Sequence, residues 1–128
     1  MKNCSIFLII VLSGLFLTGC KKSSSDISNP EVDLAGNAAG TYSGQNQIGN
    51  MYPMIVVITK QTNTTVVMES TLNGSVIGTY AGTTVSDGGD GKILLTYNAG
   101  DIAISGTVDG KTLVYYYNSV IFFIGTKP

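Results

Sequence analysis

Residues 39–128 predict an all-β domain: eight antiparallel strands in an up-and-down meander closed into a barrel, with a two-sheet sandwich as the alternative. Three observations carry this. Val, Ile, Thr and Tyr dominate the segment, and branched or aromatic side chains suit a pleated, half-buried surface. No window shows the 3.6-residue apolar period of a helix. Gly, Asn and Asp instead cut the chain into short runs joined by turns.

The strands read as 40–48, 52–61, 64–72, 75–85, 91–98, 101–108, 111–118 and 119–127. Asn73-Gly74 and Asp109-Gly110 are pairs that accept positive φ, the requirement of a two-residue hairpin. Asn98-Ala99-Gly100-Asp101, Asp87-Gly88-Gly89-Asp90-Gly91 and Gln61-Thr62-Asn63 supply further turns. Because every connection is short, sequence neighbours should be antiparallel neighbours in space. Alternation then separates the faces. Val66, Met68 and Leu72 oppose Thr65, Val67, Glu69 and Thr71; Ile102, Ile104 and Val108 oppose Ala103, Ser105 and Thr107. Met54 to Ile58 and Val120 to Ile124 are apolar on both faces, which suits a sandwich or a barrel with part of its outer wall covered. Closure is favoured because an open meander leaves two pairing edges. Eight strands enclose a space that side chains just fill, or that holds one small ligand.

Ahead of the domain, Met1-Lys2-Asn3 is a short basic region and Ile6 to Phe16 an apolar run, the pattern of a secretory leader. The run is too short for a hydrocarbon core, which needs roughly 20 residues. Leu17-Thr18-Gly19-Cys20 then reads as a bacterial lipobox, so 1–19 is expected to be a lipoprotein signal peptide and Cys20 an acylated anchor. An ordinary secretory signal with a fortuitous cysteine is the alternative. Residues 20–38, rich in Ser, Asn and charge, read as a flexible tether averaging about 20–25 Å end to end.

These readings place the protein in the cell envelope, lipid-anchored at Cys20. Lys21 and Lys22 follow the cysteine, with Asp26 the sole acid nearby, which points to the outer membrane on its periplasmic or surface side. The membrane, reached through the lipid, is thus the first expected partner.

Composition narrows the chemistry. With Cys4 removed and Cys20 acylated, no thiol remains for a disulfide. The sequence has no His, Arg or Trp. That removes the commonest general base and metal ligand, and the bidentate clamp for phosphate or carboxylate. A net charge of −1 without a basic patch argues against nucleic acid. No cofactor and no enzymatic activity are expected.

Gly40-Thr41-Tyr42 resembles the Gly-x-Trp opening of lipocalins and other calycins, with Tyr in place of Trp. The stretch from Ile104 to Leu113 and the ending Phe122-Phe123-Ile124-Gly125-Thr126-Lys127 look similar to small calycin-like lipoproteins of Bacteroidota. The resemblance implies an eight-stranded barrel and a small apolar ligand. It also implies a structural pair, Lys127 set over Tyr42, a cation–π contact worth about 0.5–1 kcal/mol when exposed.

Other candidates have plainer explanations beside them. Asp87 and Asp90 could ligate Ca²⁺, but glycines with aspartates are also what a turn needs. Tyr115-Tyr116-Tyr117 could be a stacking platform, yet in a strand Tyr116 faces away from the other two. Glu69 could anchor a polar ligand; a solvated outer face is the simpler reading. Gly40-Thr41-Tyr42-Ser43-Gly44 recurs as Gly78-Thr79-Tyr80-Ala81-Gly82, which strand bulges explain better than duplication. The expected function is therefore a binding protein for a small apolar or amphipathic ligand, its site residues unassigned. The alternative is a filled barrel acting as an interaction module, an inhibitor or assembly partner, docking through its outer face or the glycine-rich loop 87–91. That reading gains if Ile55, Val57, Ile121 and Phe123 lie exposed as one patch.

Overall fold

Eight strands, each paired antiparallel with its sequence neighbours, close into one barrel when the last meets the first. The computed structural model describes residues 31–128, of which Val32–Pro128 form one unit. The strands are β1 (Gly40–Asn46), β2 (Pro53–Lys60), β3 (Thr65–Leu72), β4 (Ser75–Gly89), β5 (Lys92–Ala99), β6 (Ile102–Asp109), β7 (Thr112–Tyr117) and β8 (Val120–Thr126). A short helix, α1 (Leu34–Ala38), precedes them. The up-and-down meander expected from the sequence is the fold, and the sandwich alternative falls away.

Closure depends on the seam between β1 and β8, where Ser43 pairs with Thr126 and Asn46 with Phe123. A Cβ at Gly44 would run into the Ile124 carbonyl and the Gly125 backbone across this seam. Only a residue without a side chain lets the two strands meet there. The hairpin at Asn73-Gly74 takes the positive φ values the pair predicts, 50° and 81°.

The turn at Asn118-Ser119 also has positive φ at both residues, 48° and 69°, although the sequence reading ran one strand directly into the next. Asn118 holds it by donating its N–H to the Ala103 carbonyl and accepting the Ala103 N–H on Oδ1, both at 2.8 Å.

Bulges set which residues face inward. Between Val66 and Val67 the partner strand skips Gly82, so Tyr80 and Thr83 both point into the core. Between Tyr115 and Tyr116 it skips Phe122, so Phe123 is buried while Ile121 is exposed. The four residues Ile55, Val57, Ile121 and Phe123 therefore do not form one outer patch.

Two further expectations change. Residues 34–38, read as tether, form α1, and the folded unit begins at Val32 rather than Ala39. Five residues of Leu, Ala, Gly and Asn are too short and too small to register as an apolar period. Yet Ala35 and Ala38, three apart and so on one face, are fully buried against the barrel core. In addition, β4 runs on to Gly89, leaving only Asp90-Gly91 as the turn within the Asp-Gly-Gly-Asp-Gly segment.

The meander gives the barrel two unlike ends. At one lie α1, the β2–β3 loop and the β4–β5 and β6–β7 turns; at the other lie the β1–β2 loop and the β3–β4, β5–β6 and β7–β8 turns. The first end is closed by α1. Between the ends the interior is packed by side chains under 2% exposed, among them Tyr42, Met54, Met68, Leu95, Leu113 and Tyr115. The second end is the mouth.

Candidate functional site

Direct register places Tyr97, Ile104 and Tyr117 side by side on β5, β6 and β7, facing inward near the mouth. Tyr80, from β4, brings its ring to 5.4 Å from that of Tyr97, inclined at 56°. Gly78 makes this possible, since the Tyr80 phenol lies where a Cβ on Gly78 would stand. Phe122, displaced by its bulge, packs against Tyr115 at 5.4 Å and Tyr117 at 5.8 Å between ring centroids. Leu72, Tyr97, Ile102, Tyr117 and Phe122 are each half-buried against the core, so they form an apolar layer across the mouth end.

The floor below them carries hydroxyls. Ser70 Oγ and the Tyr115 hydroxyl lie 3.1 Å apart and are both buried. Burial pushes the Tyr115 phenol well above its ordinary range; the Ser70 hydrogen bond opposes this, and the neighbouring Tyr80 and Tyr117 add to it. Tyr80 is raised too, by burial first and then by Tyr117 and Tyr97. These phenols are therefore neutral at physiological pH. They can donate or accept a hydrogen bond, but they offer no base.

At the closed end the geometry is that of a strut. The Tyr42 hydroxyl donates to the Ala38 carbonyl at 2.7 Å, and Lys127 Nζ stands 5.4 Å from the centre of the Tyr42 ring. The same ammonium donates to the carbonyls of Asn37 at 2.8 Å and Ala39 at 3.1 Å. Asp33 caps α1 by accepting the Gly36 N–H at 2.8 Å and pairs with Lys60 at 2.6 Å. These groups fasten the helix and form no reactive arrangement.

A half-open cleft of about 580 Å³ lies between α1 and the β4–β5 turn, walled by Val32, Leu34, Ile93 and Val108 and rimmed by Asp87, Asp90 and Lys92. Its acidic groups do not converge. Asp87 Oδ1 is engaged by the Gly89 N–H at 2.8 Å, the turn reading of this segment. Among the described residues no three His, Cys, Asp or Glu side chains gather as metal ligands.

Glu69 lies exposed on the outer face of β3, and Tyr116 faces out between Ser105 and Ile121. Tyr115 and Tyr117 lie inside, as strand alternation requires. Cys20 and residues 1–19, expected to be a leader, fall outside the described residues. Sequence reasoning missed the mouth because its members come from six strands, β3 through β8. Only the alternation of β5 through β7 hinted that Tyr97, Tyr115 and Tyr117 share one side. Comparison of the chain with protein-family models, with curated proteins and with solved structures gives no match, so its own residues carry the reading of its function.

Proposed function

We propose that this chain is a lipid-anchored envelope lipoprotein with a calycin-like barrel that binds a small amphipathic molecule at the mouth. One observation carries the reading: half-buried apolar side chains surround buried, neutral hydroxyls at a single end of the barrel. An acyl or aromatic portion of a ligand would cover Ile102, Tyr117 and Phe122, and a polar group would reach the Tyr80 and Tyr97 phenols. Because the interior beneath is filled, the ligand lies across the mouth rather than deep within. Catalysis is not part of this reading, since raised phenols without an imidazole or a thiolate supply no nucleophile near neutral pH.

The experiment is native mass spectrometry of the purified chain together with titration by a fluorescent fatty acid. Binding that Tyr117→Ala weakens about tenfold, while the fold is retained, supports the mouth; loss of one large buried contact is worth about that much. No co-purifying molecule and no titration would overturn it.

A second reading, a protein-interaction module with a filled barrel, draws on the exposure of Ile55, Ile121 and Ile124 on the outer wall. Affinity capture from envelope extract, followed by loss of the captured partner on Ile55→Asp, is its test.

A further inference from the structure

Within residues 32–128 most charged side chains lie at one end of the barrel and most exposed large apolar ones at the other, with Val32 beside α1 and Leu94 on β5 the exceptions. Asp33, Lys60, Asp87, Asp90, Lys92, Asp109, Lys111 and Lys127 all belong to the end closed by α1. Only Glu69, midway along β3, and Asp101, in the β5–β6 turn, lie elsewhere. The mouth end instead exposes Ile48, Met51, Tyr52, Val76, Ile77 and Val120, with Met51 52%, Val76 59% and Val120 55% accessible. Ile121 extends this rim onto β8.

The rim is also firmly built. The Gln47 N–H donates to the Phe122 carbonyl at 2.9 Å, joining the β1–β2 loop to β8, and Asn73 N–H donates to the Pro53 carbonyl at 3.3 Å. Several large apolar side chains held together on short turns, with almost no charge among them, are costly to leave in water.

We propose that this rim is a membrane-facing surface that seats itself among the headgroups and upper acyl chains of a lipid bilayer. Three features select a bilayer over a protein partner. Charge is nearly absent there, so there is no complementary pattern to specify a protein, while a zwitterionic lipid surface requires none. Tyr52 on the rim has the amphipathic ring that settles at headgroup depth.

Finally, the chain from Cys20 to Val32 can reach about 40 Å when extended. Strands of seven or eight residues at barrel tilt cover only about 20 Å. A lipid on Cys20 can therefore share one bilayer with the rim, although the chain enters the barrel at the other end. Apart from β4, whose 15 residues are broken by register shifts, the strands have six to eight residues, fewer than the roughly 9–11 of a spanning strand, so the barrel rests on the membrane and does not cross it. This last argument rests on the lipoprotein reading; the sorting of side chains does not. Seated in this way, the mouth would open toward lipid, which supplies amphipathic molecules directly.

The chain has no Trp, so one introduced residue is a clean depth probe. The full chain, produced with its leader, is reconstituted into phosphatidylcholine vesicles with and without brominated acyl chains, carrying Val120→Trp, Val76→Trp or Lys111→Trp. Blue-shifted emission quenched by bromine at positions 120 and 76, but not at 111, is the expected result, unchanged by added salt. As a check on wild-type side chains, hydrogen exchange at 47–52, 74–77 and 118–121 should slow on adding vesicles. Equal quenching at all three positions, or none at the rim, overturns the proposal. Rim protection that grows with protein concentration in the absence of lipid means a second copy covers it, and overturns it too. Mass spectrometry of the same material reports acylation of Cys20, so a failed anchor and a failed rim are read separately.

Discussion

Lys127 holds its ammonium 5.4 Å from the ring centre of Tyr42 while bonding the carbonyls of Asn37 and Ala39, so one side chain ties the last strand to both the first strand and the helix. Tyr42 answers from inside, its hydroxyl donating to Ala38. Tyr42→Phe should cost more than Lys127→Met, because it leaves the Ala38 carbonyl buried without this donor. About 1–3 kcal/mol is expected for the first and about 0.5–1 for the second. Urea unfolding midpoints of the two variants measure the difference.

Alkaline pH should loosen the same end. Burial raises the Tyr42 phenol to about 12, against the ordinary value of 10.0. The folded state thus keeps a proton that the unfolded chain loses from about pH 10 upward. Stability is full below that point and falls as pH rises toward 12, with a slope approaching about 1.4 kcal/mol per unit from this group. Tyr80 and Tyr115 are raised by burial and act in the same direction. Thermal melts from pH 8 to 11.5 should show the decline beginning near pH 10, and Tyr42→Phe should make it shallower.

At the acid end the capping carboxylate matters. Asp33 is lowered from 3.8 by its bond to Lys60 and then by the Gly36 amide. Its contribution is present above the unfolded value and disappears as pH falls through the lower folded one. Amide protection factors at 36–39, taken relative to the intrinsic exchange rate at the same pH, should fall in Asp33→Ala at pH 7, and in the unaltered chain at strongly acidic pH.

Ser70 and Tyr115 form a closed two-membered unit on the mouth floor, their oxygens 3.1 Å apart. Ser70→Ala or Tyr115→Phe alone strands a buried hydroxyl and should cost about 1–3 kcal/mol, whereas the double variant should cost clearly less than the sum. A double-mutant cycle from denaturant unfolding gives the coupling. Additive costs would mean the two hydroxyls do not depend on each other.

Gly44→Ala should weaken the seam, since the added methyl meets backbone rather than a movable side chain. A loss of about 1–3 kcal/mol, the usual cost of overpacking, is expected. Faster exchange of amides at 43–46 and 123–126, with β3 through β6 unaffected, would locate the damage at the seam.

How much of this was visible in the sequence follows from the range of each determinant. The hairpin at Asn73-Gly74 is local, because two residues suffice to demand a positive φ. At Asp109-Gly110 only Gly110 takes one, since Asp109 ends β6 opposite Thr112 and the turn is Gly110-Lys111. The inward set of β3 and β6 is legible from alternation alone. That Phe123 faces inward while Ile121 faces out was not legible, because it depends on Phe122 being skipped opposite Tyr115 and Tyr116, a relation between two strands. Helix α1 escaped for a different reason. Its burial is carried by two alanines, and no apolar pattern marks so small a contact. The mouth lay further beyond reach, since Tyr80 and Tyr97 meet only after the Gly82 bulge has set the direction of β4.

The bonds from Lys127 to Asn37 and Ala39 leave the beginning and the end of the folded unit beside one another. A few flexible residues would splice them, and the ring so formed could be cut afresh at Asn73-Gly74, an exposed turn of the opposite pole. In such a permuted chain both new termini would emerge at the mouth end instead of beside α1, with the core untouched.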